Sequence, residues 1–177
     1  MDGSGDISPV VKRDGSFDTH VPALAGSYHV HWWDSTRAGC FVKSVTVGGK
    51  DVTDSGFTIG GGNVALEVVL SANSATLEGS VVDIKSDPAS DVQVFCIPDS
   101  KRRLRFDLYR KVTTDEYGHF HLRGITPGKY EVLAVDTDWD EDDLRDTELP
   151  PDWKGETIDL KEGENKKIKL NLAASHE

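Results

Sequence analysis

The amino-acid sequence predicts an all-β chain, with one complete β-sandwich domain preceded by a partial or reduced second copy. Three observations lead there. Short runs alternate apolar and polar residues, the pattern of strands with one buried face. The seventeen glycines and seven prolines fall mostly between those runs, where tight turns use them. The chain also repeats itself with a period of about a hundred residues, the size of one β-sandwich.

Two landmarks and a shared ending carry the repeat. Gly15-Ser-Phe17 is followed by Gly26-Ser-Tyr28-His-Val30, and Gly118-His-Phe120 by Gly128-Lys-Tyr130-Glu-Val132. Phe and Tyr stand eleven residues apart in the first copy and ten in the second. The endings are Leu66-Glu-Val68-Val-Leu70 and Ile168-Lys-Leu170-Asn-Leu172. Only the second copy has strands ahead of its first landmark: Thr76–Ile84, Asp91–Ile97 and about Leu108–Thr114. This divides the chain into a disordered or artificial leader (1–14), a partial repeat (15–74) and a complete sandwich (75–177). A half sandwich leaves an open strand edge and an uncovered apolar face. The second domain or another chain is expected to cover them.

Within the second copy, period-2 alternation assigns the inward side chains. They are the odd positions of Leu77-Glu-Gly79-Ser-Val81 and the even positions of Val92-Gln-Val94-Phe-Cys96. Phe120-His-Leu122, Tyr130-Glu-Val132 and Ile168-Lys-Leu170 continue the pattern. Asp115-Glu-Tyr-Gly118 reads as a hairpin turn with Gly where φ is positive, and Pro127-Gly128 as a second turn. No segment sustains a helical period, although Asp140–Leu149 could form one short helical turn.

Leu77-Glu-Gly79-Ser-Val81-Val82-Asp83, Val92-Gln-Val94, the turn Thr113–Phe120, and above all Leu122-Arg-Gly124-Ile-Thr-Pro127-Gly128-Lys-Tyr130 resemble the carboxypeptidase regulatory-like family. The likeness covers residues 75–172 well and 15–72 in part, and is nearest to repeats of exported bacterial proteins. It implies a transthyretin-like Greek-key β-sandwich without catalytic chemistry. It also implies a secreted, periplasmic or cell-surface setting. A fold module of this kind does not by itself define a function.

The composition narrows the partners. With 31 acidic and 20 basic residues the formal net charge is −11, which repels nucleic acid and anionic lipid at long range. No apolar stretch of eighteen residues exists to span a membrane, and residues 1–16 lack the apolar core of a signal peptide. Two cysteines, Cys40 and Cys96, are too few for a disulfide framework or a zinc site. They are expected to be half-buried thiols, with pairing between them left open.

The sharpest local feature is the acidic run Asp136-Thr-Asp138-Trp-Asp140-Glu-Asp142. Alternating carboxylates of this kind gather hard cations, so Asp136, Asp138, Asp140 and Asp142 are the candidate calcium ligands. The EF-hand pattern is not met, and a solvated acidic loop explains the run equally simply. Trp139 and Trp153 lie in or beside loops, where indole rings can stack on sugar faces or cap a small core. His29 with His31, and His119 with His121, sit two apart on outward positions and lack a third ligand. Lys101-Arg-Arg-Leu-Arg105 reads as a solvated bend or a partner of the acidic loops. Asn171, the one candidate for a Lys–Asn crosslink in the last strand, takes the outward phase. No nucleophile–base pairing is visible. The chain is therefore expected to be a non-catalytic structural or protein-contact module, needing no cofactor beyond calcium. The competing expectation is a carbohydrate-binding module built on the loop tryptophans.

Overall fold

The computed structural model describes residues 10–17, 25–32, 39–60, 63–136 and 155–173. Among these, the first copy holds β1 (Gly26–Tyr28), β2 (Phe41–Val47), β3 (Lys50–Asp51), β4 (Phe57–Ile59) and β5 (Leu66–Ser71). The second holds β6 (Ala75–Val82), β7 (Gln93–Pro98), β8 (Arg110–Thr113), β9 (His119–Ile125), β10 (Gly128–Val135), β11 (Glu156–Leu160) and β12 (Asn165–Asn171). Two single 3-10 turns, Ser100–Arg102 and Phe106–Leu108, bridge β7 to β8.

The second copy is a β-sandwich. One sheet runs in the order β11-β10-β7-β8 and the other in the order β12-β6-β9. β12 lies parallel to β6, from Asn165 opposite Thr76 to Asn171 opposite Val82, while the remaining pairs of the sandwich are antiparallel. The inward rows expected from alternation form the core: Leu77, Val81, Val94, Cys96 and Val132 are all 0% exposed. Burying each such aliphatic side chain stabilises the fold by about 1.5–3 kcal/mol. Gly79 is required because an added Cβ would run into the Ile168 carbonyl of β12 and would meet the Phe120 ring at 2.6 Å.

Both predicted turns form. Gly118 has φ 74° and its N–H donates to the Asp115 carbonyl at 2.9 Å. At the Pro127-Gly128 turn, the Tyr130 hydroxyl donates back to the Thr126 carbonyl at 2.7 Å, so a buried phenol ties the start of β10 to its own turn.

Strict alternation fails on β7. Phe95, outward by the pattern, and Ile97 beyond it are 0% exposed and pack with Tyr109, Leu133 and Val135 in a second cluster on the other face of the sheet. The continuous run Val94-Phe-Cys-Ile97 is what burial on both faces requires. Cys96 is accordingly fully buried rather than half-buried, Cys40 is half-buried, and both are free thiols.

The first copy is smaller. β1 pairs with β4, and β3-β2-β5 form a separate sheet. Among the described residues its core is a cluster of Val42, Val45 and Val52, with Val30, Val47, Phe57 and Val68 partly buried around them. The repeat is nonetheless visible in its register. Gly26 opposes Ile59 and Tyr28 opposes Phe57, as Gly128 opposes Leu160 and Tyr130 opposes Ile158. In both copies a Gly-x-Tyr strand is met by an antiparallel strand with apolar residues two apart.

Candidate functional site

The densest group of buried charge lies where the two copies meet, and Arg105 is its centre. Its side chain is 2% exposed although it belongs to the basic run expected to be a solvated bend or a partner of the acidic loops. The solvated bend does not describe Arg105, because the two 3-10 turns fold the segment inward and set it against carboxylates. Asp107 follows two residues later and takes the guanidinium in a fork, Nε to Oδ1 at 2.9 Å and Nη2 to Oδ2 at 2.8 Å. The remaining nitrogen, Nη1, reaches into the first copy and donates to the Thr53 carbonyl at 3.1 Å and to Asp54 Oδ1 at 3.2 Å. This planar, bidentate geometry is what arginine offers and lysine does not.

The receiving loop is ordered by its own side chains. Asp51 Oδ1 accepts from the Thr53 N–H at 2.9 Å and from the Thr53 hydroxyl at 2.7 Å, and Thr53 Oγ1 in turn accepts from the Val45 N–H at 2.8 Å. Those bonds hold the Thr53 carbonyl in position for Arg105. From the other side His31 Nδ1 lies 2.9 Å from Asp107 Oδ1. Burial works to raise the Asp107 pKa, but the donors from Arg105 and His31 outweigh it and hold the carboxyl well below its usual range. Burial likewise opposes the Arg105 charge, and Asp107 overrides it to keep the guanidinium charged. His29, whose ring stacks near that of His31 at 6.3 Å, is pushed down, first by burial and then by the charges of His31 and Arg105.

A second tie sits beside the first. β2 carries an irregularity between Val42 and Ser44, and the residue it releases, Lys43, donates to Glu162 Oε2 at 2.8 Å. Ser71 donates to the other oxygen of Glu162 at 2.6 Å. Between the two ties runs a groove of about 210 Å³ lined by Lys43, Asp54, Arg102, Arg105, Thr126 and Glu162. Arg102 is 9% exposed there and donates to the carbonyls of Pro127 and Lys129, with its guanidinium 4.9 Å from the Tyr130 ring centre. Arg102 and Arg105 are therefore spent on internal partners, while Lys101 of the same run is exposed. Chemically the arrangement binds one half of the molecule to the other, and it brings no nucleophile against a base.

The residues singled out from the sequence are placed differently. Asp136 is exposed just past β10. Asp138, Asp140 and Asp142 lie outside the described residues, as do Trp139, Trp153 and the segment Asp140–Leu149. Among the described residues no group of three or more His, Cys, Asp or Glu side chains could hold a metal ion. His119 and His121 are exposed as expected. His119 lies 3.8 Å from Asp115, and His121 lies 3.7 Å from Glu78 and 3.1 Å from Arg123 Nε. Asn171 points outward, away from the core. Arg105 and Asp107 were missed from the sequence, which carries no local signal for them: of the apolar residues around Arg105, Leu104 and Phe106 stay exposed and only Leu108 is buried.

No family model matches the chain, and no curated protein does. Several solved structures are similar to it. The TIE protein of Bacillus anthracis is 15% identical, with 67% of this chain and 20% of that one covered and a TM-score of 0.38. A candidate carbohydrate-binding protein of Pseudomonas aeruginosa is 13% identical, with 55% and 87% covered and a TM-score of 0.35. The minor pilin of Streptococcus agalactiae is 11% identical, with 69% and 60% covered and a TM-score of 0.37. The chain thus spans about a fifth of the length of the Bacillus protein. Likenesses at this level assign no activity. Among the described residues no helix is long and apolar enough to cross a membrane. The sheets themselves establish that the chain is an all-β protein with one complete β-sandwich, preceded by a reduced copy.

Proposed function

We propose that the chain is a non-catalytic structural and protein-contact module of an exported bacterial surface protein, a module whose two halves are locked in one relative orientation. The observation that supports this reading is the buried Arg105–Asp107 pair, which reaches across to Thr53 and Asp54. A buried charge that is fully engaged within the molecule serves to fix geometry, and fixed geometry is what a spacer must transmit.

The test is Arg105→Ala, which strands Asp107 in a site where its side chain is 9% exposed. Breaking a buried pair from one side costs about 3–5 kcal/mol. Small-angle scattering of the variant is expected to show a longer maximum dimension, and calorimetry a first-copy transition split from that of the sandwich. An unchanged profile and a single unchanged transition would remove the basis for the reading. A glycan array separates it from sugar binding: a glycan held by the native chain and lost in Trp139→Ala and Trp153→Ala would replace it. Millimolar calcium raising the melting temperature would add the acidic loop as a cation site.

A further inference from the structure

We infer that β5 is a docking edge on which a second copy of this chain adds its own β5, antiparallel and about a two-fold axis. The inference deepens the protein-contact reading above by naming one surface and its occupant. Among the described residues β5 pairs with β2 on one side and with no strand on the other. An outer row of N–H and C=O groups that meets no described strand is a template for another.

Among the described residues the other long edges are guarded. β12 carries Lys166, Lys167 and Lys169, β9 carries His119, His121 and Arg123, and β11 carries Glu156 and Asp159. Charges of this kind are how sheet edges avoid pairing. β5 reads Leu-Glu-Val-Val-Leu-Ser, with Glu67 as its only charge, and leaves Val69 39% and Leu70 40% exposed.

Its sequence is also complementary to itself. With Val69 on the two-fold axis, Val69 faces Val69, Val68 faces Leu70, and Glu67 faces Ser71, beside the Lys43–Glu162 ion pair whose ammonium offsets the second carboxylate. β12 treated in the same way about Ile168 would set Lys167 against Lys169, and like charges directly opposite destabilise a pair. The inward row gains most. Val68 lines a core of only three buried residues, and a copy's Leu70 would extend that core across the axis. A single strand pair buries less than the roughly 1,200 Å² of a stable interface, so the dimer is expected to be weak and concentration-dependent.

Sedimentation of the full chain up to about 1 mM tests this, because affinities that need such concentrations correspond to only about 4 kcal/mol. The native chain is expected to show reversible monomer–dimer exchange, with β5 amides gaining hydrogen-exchange protection as concentration rises. Val69→Lys sets two ammonium groups on the axis and is expected to remain monomeric with unchanged circular dichroism and melting. Val69→Thr, uncharged and β-forming, is expected to dimerise. A native chain monomeric throughout, or a dimer indifferent to Val69→Lys, overturns the inference. Either result, with the Arg105 coupling intact, leaves the structural-module reading standing.

Discussion

The two copies begin from the same Gly-x-Tyr strand in the same register and end at very different degrees of completion. In the second copy Tyr130 is 1% exposed and fastened to its own turn, and seventeen buried residues share one core. In the first, Tyr28 is only half-buried, stacked against Phe57 at 6.1 Å, and among the described residues three make the core. Among the described residues the second copy has β6 as a central strand between β12 and β9, ahead of its landmark, whereas β2 and β3 of the first copy follow its Gly-x-Tyr strand. With three buried residues described in its core, the first copy keeps its local pairing but shows little core of its own. It then depends on outside contacts, here Arg105 and Glu162, for its position.

The most disruptive way to break this comparison is to cut each core separately. Leu77→Ala, at 0% exposure on the central strand β6, is expected to cost about 2–5 kcal/mol and to lower the melting of the sandwich outright. Val45→Ala, at 1% exposure in the small core of the first copy, removes two carbons and is expected to cost less, about 1.6 kcal/mol at about 0.8 kcal/mol per buried carbon. Chemical denaturation of both variants measures the ratio. Equal losses would mean that the two copies share one cooperative core.

Acid offers a smaller, graded perturbation aimed at the joint. The Asp107 carboxyl is held below its ordinary range in the folded protein. The unfolded chain therefore takes up its proton first, and the stability that Asp107 contributes is complete above about pH 4. That contribution falls as pH drops toward the lower folded value, at up to about 1.4 kcal/mol per pH unit for one proton. Asp107→Asn removes the titration. Denaturant midpoints between pH 5 and about pH 2 should fall more steeply in the native chain than in the variant. Parallel curves would show that the joint does not depend on this charge.

How far the sequence foretold this arrangement follows from how local each signal is. The strands β6, β9 and β10, both turns and the repeat were legible because each is written in neighbouring residues. Gly118 and Gly128 mark their own turns, and Leu77, Gly79 and Val81 mark their own face. β7 was read with one face too few because an alternating template was laid on a run, Val94 to Ile97, that is apolar throughout. The joint was not legible at all. Arg105 meets Asp54 across 51 positions in sequence, and nothing local in Asp51-Val-Thr-Asp54 announces that its carbonyl will be presented to a guanidinium. The charge of the basic run points to solvent, whereas the two 3-10 turns and the carboxylate of Asp107 decide the burial of Arg105.

The gentlest probe of the difference changes no residue, because each copy already carries one thiol. Cys96 is 0% exposed in the sandwich core, and burial pushes its pKa up to about 12, so almost no thiolate exists at neutral pH and no reagent can reach it without opening β7. Cys40 is half-buried at the start of β2, in the copy with the small core. A disulfide reagent at pH 8 should therefore label Cys40 first, with a weak dependence on denaturant, because only local opening is needed. Cys96 should follow far more slowly and with the steep dependence of global unfolding. In Arg105→Ala the Cys40 rate should rise while the Cys96 rate stays close to native, since freeing the first copy leaves the sandwich core intact. If the two thiols instead react at one rate with one denaturant slope, the copies open together. The reduced copy would then be an integral layer of the fold rather than a lobe fastened to it by Arg105.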